Sequence, residues 1–346
     1  MKLMEMNDLK RLAYAAARKV PMTFSVNGTE ESFSAENVND VLRAQFELLA
    51  PDYKGFRRNQ NAIFELIEET IDEILPRQVM QQYEQFADVR VLAQGDKAVF
   101  RKKISEAARK RAKTFVTKVG LAGRYEVFML DGQEVEVQMG AIGGACRIGF
   151  EEFLDGRIQF GDLTSIILEG MDEYIYREIL NALDASMTQL PNKNKATFNG
   201  FDEGLMDNLL AISDSYGSGN STIYCVREFA SQMLPATGYI SNEMKNTLWE
   251  RGYLGDYKGH RVIILQQSTV DTTNTTKAIN PRNAYIIPSG LEKPVKLAFE
   301  GPTAVRLEDH NDDWSQDLQT YKKFGIAVFM NPAICRYTNS KLSTTF

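Results

Sequence analysis

Two stretches near the start of the chain carry apolar residues at the spacing of amphipathic helices. Residues 36–49 and residues 61–75 each place their apolar side chains along one stripe. Pro51 and Gly55 should break the chain between the two helices, and Pro76 should end or kink the second. We therefore expect the first 80 residues to form short helices with polar linkers and no self-sufficient core, as in an arm that packs on something else.

The pattern changes to alternation further along the chain. Residues 124–130 and 133–139 flank the dipeptide Asp131-Gly132, and apolar and polar residues alternate cleanly in the second of these segments. Asp-Gly is a strong signal for a two-residue hairpin turn, because both central residues of a type I′ turn need positive φ. The pattern predicts a β-hairpin with one polar face.

A helical pattern of 26 residues follows at 162–187, with Asp162 as its N-cap. At a rise of 1.5 Å per residue it would be about 39 Å long, which suits a structural spine. The apolar stripe that should face the core includes Ile166, Tyr174 and Leu183.

Beyond residue 190 the pattern is mixed. The segment PNKNK at 191–195 has the composition of a linker, and short apolar runs bounded by turn residues then predict buried strands. The predicted elements are helices at 204–213 and 227–234, strands at 222–226, 262–265 and 284–287, and further strands within 295–308 and 318–337.

Composition narrows the class of protein. A chain of 346 residues, 43% apolar and 25% charged, is typical of a globular protein of about two domains. A net charge of −6 disfavours a basic protein that wraps nucleic acid. No apolar run approaches the ~20 residues of a membrane span, and the first 20 residues lack the apolar core of a signal peptide, so we expect synthesis and use in the cytosol.

The residues that usually carry chemistry are sparse. Three cysteines without a CxxC pair and two histidines exclude a zinc ribbon, a dithiol site and an HExxH metal site. We interpret the cluster Gly140, Gly143 and Gly144 as a flexible bend, because its spacing is not that of a nucleotide-binding loop. An enzyme site within 195–300, built around His260 and Asp256, is a remote alternative.

One segment is strongly basic, with seven cations in thirteen residues. Such a run is either a solvated surface or a contact with an acidic protein partner, and nucleic acid ranks behind both because no aromatic residues are interleaved. The seven cations are Arg101, Lys102, Lys103, Arg109, Lys110, Arg111 and Lys113.

The order of these parts resembles the HK97-type major capsid protein of tailed bacteriophages. Residues 248–265, LWERGYLGDYKGHRVIIL, are similar to the family segment in which a helix and a glycine-marked turn lead into a buried strand. Residues 314–337, WSQDLQTYKKFGIAVFMNPAICRY, are similar to the last family strand. The matching positions are Gly259 and Val262 in the first segment, and Gly325, Ala327, Val328, Pro332 and Ala333 in the second. Trp249 and Gly255 are further candidate residues of the turn and strand in the first segment.

The resemblance implies an α+β, HK97-like capsid fold in five parts. Residues 1–80 would be the N-terminal arm and 81–148 the extended β-hairpin lobe, or E-loop. Residues 149–194 would hold the spine helix of the peripheral domain, 195–300 would be the α/β axial domain, and 301–346 would return to the peripheral domain.

The implied function is that of a major capsid protein. Many copies would assemble as hexamers and pentamers into an icosahedral shell around double-stranded DNA, which the protein would contact non-specifically. Since only about 80 residues precede the hairpin lobe, we expect a separate scaffolding protein, with a portal and possible decoration proteins as further partners. The contacts between subunits would use the seven cations together with Asp131 and Gly132.

The resemblance implies no catalytic site, cofactor, metal or membrane partner. The protein would reside in the virion, after assembly in the cytoplasm of a bacterial host. An encapsulin-type compartment, which encloses protein cargo instead of DNA, shares the fold and stays open as the alternative function.

Overall fold

The computed structural model describes most of the chain, and contacts divide it into two compact units. Unit 1 comprises Met1–Ala98, Val137–Tyr176 and Leu297–Ile326, and unit 2 comprises Val99–Glu136, Arg177–Lys296 and Ala327–Phe346. Both helices and sheets are present, as the α+β prediction requires. The described residues are 4, 6–18, 20–26, 29–51, 53–84, 87–102, 110, 133–148, 160–216, 220–234, 241–309, 316–329 and 331–345.

The described residues form the following helices and strands. The helices are α1 (Met6–Arg18), α2 (Ala35–Leu49), α3 (Tyr53–Tyr83), α4 (Phe160–Met187), α5 (Glu203–Asp214), α6 (Arg227–Ala230) and α7 (Asn242–Arg251). The strands are β1 (Met22–Val26), β2 (Thr29–Phe33), β3 (Ala87–Leu92), β4 (Val99–Lys102), β5 (Gln133–Glu136), β6 (Met139–Ile148), β7 (Lys195–Phe198), β8 (Ser221–Val226), β9 (Asp256–Tyr257), β10 (His260–Leu265), β11 (Asn283–Pro288), β12 (Val295–Asp309), β13 (Gln316–Val328) and β14 (Cys335–Asn339).

The first 80 residues hold more core than their sequence pattern predicted. Helix α1 buries Leu9 and Leu12 together with three alanines, and it packs on α2 and α3. Helix α3 runs for 31 residues without ending at Pro76, and Gly55 lies inside it instead of breaking the chain. The expectation of short helices with polar linkers was therefore wrong. Burial of the α3 face on both sides of Pro76 stabilises the turn whose hydrogen bond the proline removes.

Unit 1 also contains a four-stranded sheet in the order β3-β12-β13-β6. Strands β6 and β13 are antiparallel, and the register pairs Gly143 with Tyr321. The three glycines interpreted as a flexible bend lie inside β6, so that interpretation was wrong. A Cβ atom at Gly143 would lie 2.1 Å from the backbone oxygen of Thr320, so this glycine lets the two strands approach.

Helix α3 is joined to β12 by carboxylates. Asp72 accepts a hydrogen bond from the amide of Thr303 at 2.9 Å, and Glu68 accepts one from the amide of Val305 at 2.8 Å. Asp72 also accepts from the ammonium group of Lys322, whose side chain is only 2% exposed. A buried lysine is tolerated because this carboxylate and the carbonyl of Gly301 accept hydrogen bonds from its ammonium group.

The spine helix is confirmed, with corrected details. Helix α4 begins at Phe160, so Asp162 lies within its first turn and is not the N-cap. At 28 residues it is about 42 Å long. Leu183 is buried as predicted, but Ile166 is 66% exposed and Tyr174 is 41% exposed, so the buried stripe does not include them.

Unit 2 is built on a six-stranded sheet in the order β7-β14-β11-β8-β10-β9. Strands β8, β10 and β11 confirm the three predicted buried strands, and α5 confirms the predicted helix. The α-helical turn after β8 ends at Ala230, earlier than predicted. The PNKNK segment is not a loose linker, because Asn194 is buried and donates to the carbonyls of Pro332 and Ile334 at 2.6 and 2.9 Å.

The predicted hairpin is only partly described. Residues 111–132, to which the sequence assigned the first predicted strand and the predicted turn at Asp131 and Gly132, lie outside the described residues. Of the second predicted strand, 133–139, residues Gln133–Glu136 form β5, and Met139 already belongs to β6. Strand β5 pairs antiparallel with β4, with Phe100 opposite Val135.

Candidate inter-subunit surfaces

Three of the seven basic residues belong to the described part of unit 2. The guanidinium of Arg101 lies 3.3 Å from Glu134, and the ammonium of Lys102 lies 4.0 Å from Glu292. Lys110 donates to the hydroxyl of Ser215 at 3.0 Å and lies 3.7 Å from the ring centre of Tyr216. Each of these cations therefore has a partner within its own chain. Lys103, Arg109, Arg111 and Lys113 lie outside the described residues.

Glu292 also anchors a buried lysine that the sequence did not single out. The side chain of Lys296 is 1% exposed, and its ammonium lies 2.9 Å from Glu292. The rings of Phe100 and Phe329 have their centres 5.6 and 5.4 Å from the same ammonium. Aromatic faces and a carboxylate together compensate the burial of the charge. This cluster ties strand β4, which leads into the basic segment, to the rest of unit 2.

The C-terminal part of α4 is fixed to the sheet of unit 2 by Asp184. Its carboxylate accepts from the amide group of Asn283 at 3.0 Å and from the hydroxyl of Tyr285 at 2.7 Å. Arg336 lies 3.5 Å away from the same carboxylate. Burial and the neighbouring Asp184 charge hold the pKa of Tyr285 well above its usual range, so the phenol keeps its proton and donates.

The segment that carried the first resemblance contains a tight hairpin. Lys258 and Gly259 both have positive φ, 48° and 87°, and they connect β9 to β10 in a two-residue turn. Lys258 is held by Glu203 at 2.5 Å and Asp207 at 2.6 Å. The predicted glycine-marked turn and the buried Val262 that follows it are both present.

Trp249 lies on α7, just before this hairpin. Its side chain is 92% exposed, and none of the ten residues of α7 is buried. The hydroxyl of Ser241 caps the start of the helix by accepting from the amide of Met244, and Gly252 ends it in the left-handed conformation. The carbonyl of Gly255 accepts from the amide of Val262 at 2.8 Å and thus connects the turn to the sheet.

The second matching segment forms the end of β13 and the turn before β14. Gly325 is required by close packing, because a Cβ atom there would lie 2.6 Å from the backbone oxygen of Gln138. Ala327 and Val328 complete the strand. Pro332 lies in the turn that follows, where Ala333 is fully buried.

The remote enzyme site does not form as expected. His260 lies 3.5 Å from Asp214, whereas Asp256 lies opposite Arg261 in the register of the β9–β10 hairpin. The amide of Ser221 donates to the imidazole at 3.3 Å, but the hydroxyl of Ser221 donates to Asp214 at 2.5 Å. A buried hydroxyl bonded to a carboxylate instead of the imidazole is not an activated nucleophile. Within the described ranges, no three His, Cys, Asp or Glu residues are placed to hold a metal.

Among the helices that the structure describes, none combines the length and apolar character needed to cross a membrane.

Several solved structures are similar to this chain at low identity. The head of Helicobacter pylori bacteriophage KHP40 is 10% identical, with a TM-score of 0.49 over 75% of this chain and 91% of that chain. The capsid of cyanophage P-SCSP1u is 8% identical, with a TM-score of 0.49 over 75% and 88%. A virus-like particle from Pyrococcus furiosus is 12% identical, with a TM-score of 0.44 over 79% and 98%.

The family to which the chain belongs is shown by its sequence. No curated protein matches the chain. A family model does match, and its match extends over residues 5–337, which leaves out only the two ends of the chain. The segments at 248–265 and 314–337 that resembled a phage capsid protein both lie within this match. The chain therefore belongs to the family described as "SPbeta prophage-derived putative capsid protein YonB".

Proposed function

We propose that this capsid protein is the major shell subunit of a tailed bacteriophage. In this proposal many copies assemble as hexamers and pentamers into an icosahedral shell around double-stranded DNA. The single observation that carries the proposal is the capsid family match over residues 5–337. A shell subunit is a structural component, and we expect no catalytic activity from it.

The five parts take the roles that the HK97 resemblance implies. Residues 1–80 serve as the N-terminal arm, 81–148 as the E-loop lobe and 149–194 as the segment of the spine helix. Residues 195–300 serve as the axial domain, and 301–346 return to the peripheral domain, except that β14 pairs with β7 and β11 in the sheet of unit 2. The length of α4 and the mixed sheet that follows it support the two central assignments.

The partners in this proposal are other copies of the chain, a separate scaffolding protein, a portal, packaged DNA and decoration proteins. Contact with DNA is non-specific and sensitive to salt, since it would go through backbone phosphates. A net charge of −6 supports a lumen that does not grip its cargo tightly. The subunits assemble in the cytoplasm of the bacterial host and reside in the virion.

Particle formation and particle contents test the proposal. The protein is co-expressed with the scaffolding protein of the same phage, and the product is sized by light scattering and viewed by negative-stain microscopy. Closed shells, or rings that convert to shells, are the expected result. Shells from infected cells should contain nuclease-protected double-stranded DNA, whereas a protein cargo would favour the encapsulin alternative. A stable monomer or dimer would contradict the proposal.

The basic segment offers a second, more local test. Lys103, Arg109, Arg111 and Lys113 are reversed to glutamate together, while Arg101 and Lys102 are kept because they pair within the chain. We expect loss of assembly with unchanged affinity for DNA. Lys193→Glu, at an exposed position outside the segment, is the matched control and should assemble normally. Loss of DNA affinity with normal assembly would instead indicate a nucleic-acid role.

A further inference from the structure

Helix α7 is capped at both ends, and its own chain covers only part of one face. Ser241 caps the N-terminus, and Gly252, with φ of 81°, ends the helix. The guanidinium of Arg227 packs so closely on Gly252 that a Cβ atom there would lie 2.7 Å from it. A cation at this end also interacts favourably with the helix dipole. Between the caps, Met244, Thr247 and Leu248 are half-buried along one face, and none of the ten residues of the helix is fully buried.

A helix of this length normally needs a packing partner. Isolated helices shorter than about 12–15 residues are marginal in water, because most helical stability comes from burial of one face. Trp249 is the most exposed of the large apolar side chains that the structure describes, at 92%. A tryptophan can bury about 150–250 Å², and it is among the commonest anchors of protein–protein contacts. These features indicate that α7 carries a contact surface.

The charges on α7 favour one kind of binding partner for this surface. Glu243 and Glu250 are balanced by Lys245 and Arg251, so α7 is neutral although the chain carries −6. Two copies of the chain can therefore approach each other here without like-charge repulsion. A neutral helix offers no attraction for DNA phosphates. The copy number of the partner also favours this chain itself. If every shell subunit exposes Trp249, only a component present once per subunit can cover all of these tryptophans.

The same unit exposes a second aromatic residue at the far side of its sheet. Phe198 lies in β7, which forms one edge of the six-stranded sheet, and it is 44% exposed. Helix α7 leads directly into β9, which forms the opposite edge. Contacts between opposite edges of identical units are head-to-tail, and such contacts close into rings when the rotation permits.

We propose that Trp249 of one copy packs against the β7 edge at Phe198 of the next copy, and that this contact joins the subunits head to tail. The inference rests on the proposed function, since it assigns a residue-level contact within the shell. The contact would bury Trp249, which its own chain leaves exposed.

The test uses tryptophan fluorescence. The chain has two tryptophans, Trp249 and Trp314, so Trp314→Phe leaves Trp249 as the only reporter. Acrylamide quenching and the emission maximum are measured on free subunits and on assembled particles. We expect strong quenching in free subunits, and a shift of the emission to shorter wavelength with at least a several-fold loss of quenching in particles. Equal quenching in both states would overturn the inference and leave the proposed function intact.

Variants separate the contact from folding. Trp249→Ala should keep the circular dichroism of the free subunit, because the side chain is exposed, but should assemble at least ten-fold less. Val91→Ala, at a residue 59% exposed in unit 1, is the matched control and should assemble normally. The double variant Trp249→Ala, Phe198→Ala should lose little beyond the worse single variant, since contacting residues are not additive. Additive losses, or normal assembly of Trp249→Ala, would overturn the contact. If the unmodified protein never assembles, the proposed function and this inference fail together.

Discussion

Replacement of Asp72 by alanine should destabilise unit 1 by about 3 kcal/mol. The carboxylate receives the amide of Thr303 at 2.9 Å and the ammonium of Lys322, which is 2% exposed. Breaking a buried ion pair by removing one partner typically costs about 3–5 kcal/mol, because the other charge stays buried without compensation. We take the lower end of that range because the Asp72 side chain is 28% exposed.

The free energy of unfolding is measured by urea denaturation of free subunits, and hydrogen exchange of the amides of Thr303 and Val305 localises the effect. Glu73→Ala is the matched control, because its pair with Arg77 is exposed on the same helix and should contribute at most about 0.5 kcal/mol. Asp72→Leu combined with Lys322→Met should recover much of the loss, since no charge is then left buried. Equal effects of Asp72→Ala and Glu73→Ala would refute the reasoning.

Three further predictions address other parts of the fold. Gly143→Ala should disrupt the pairing of β6 with β13 because its Cβ atom would meet the oxygen of Thr320, whereas Gly144→Ala, with nothing within 4 Å, should be tolerated; thermal unfolding of the two variants compares them directly. Asn194→Ala should cost about 1–3 kcal/mol in urea unfolding, since two buried carbonyls lose their donor, and a loss no larger than that of an exposed asparagine would contradict this. Burial raises the pKa of Cys225 to about 12, so the folded state keeps a proton that the unfolded state releases above about pH 9. Cys225 should therefore lower the stability by up to about 1.4 kcal/mol per pH unit from pH 9 to 12, and Cys225→Ala should remove that part of the decline while the part due to Cys335 stays.

The elements that could be predicted from sequence are those whose pattern is local. The strands β8, β10 and β11 are short apolar runs bounded by turn residues, and all three form as expected, with β8 and β11 largely buried and β10 half-buried. Helix α1 escaped prediction because much of its buried face consists of alanines, which carry little hydrophobic signal. The need for glycine at position 143 was not visible either, since it arises from a strand far away in the sequence.

The surroundings of the candidate site residues depend still more on contacts between residues that are far apart in the sequence. The resemblance placed Trp249 correctly before a glycine-marked turn, but its exposure follows from how little of the chain packs on α7. Lys296 was not singled out from the sequence, because only the fold brings Phe100 and Phe329 around it. His260 was expected to meet Asp256, its near neighbour in sequence, yet the hairpin turns these two residues to different partners.

The carboxylates of α3 affect the tendency of free subunits to aggregate. Strand amides without partners recruit strands from other molecules, which leads to fibrils and precipitates. In β12 the amides of Thr303 and Val305 are taken by Asp72 and Glu68 from a helix, so the strand cannot offer these two donors to another sheet. At these two positions helix α3 therefore protects β12 from pairing with a strand of another molecule.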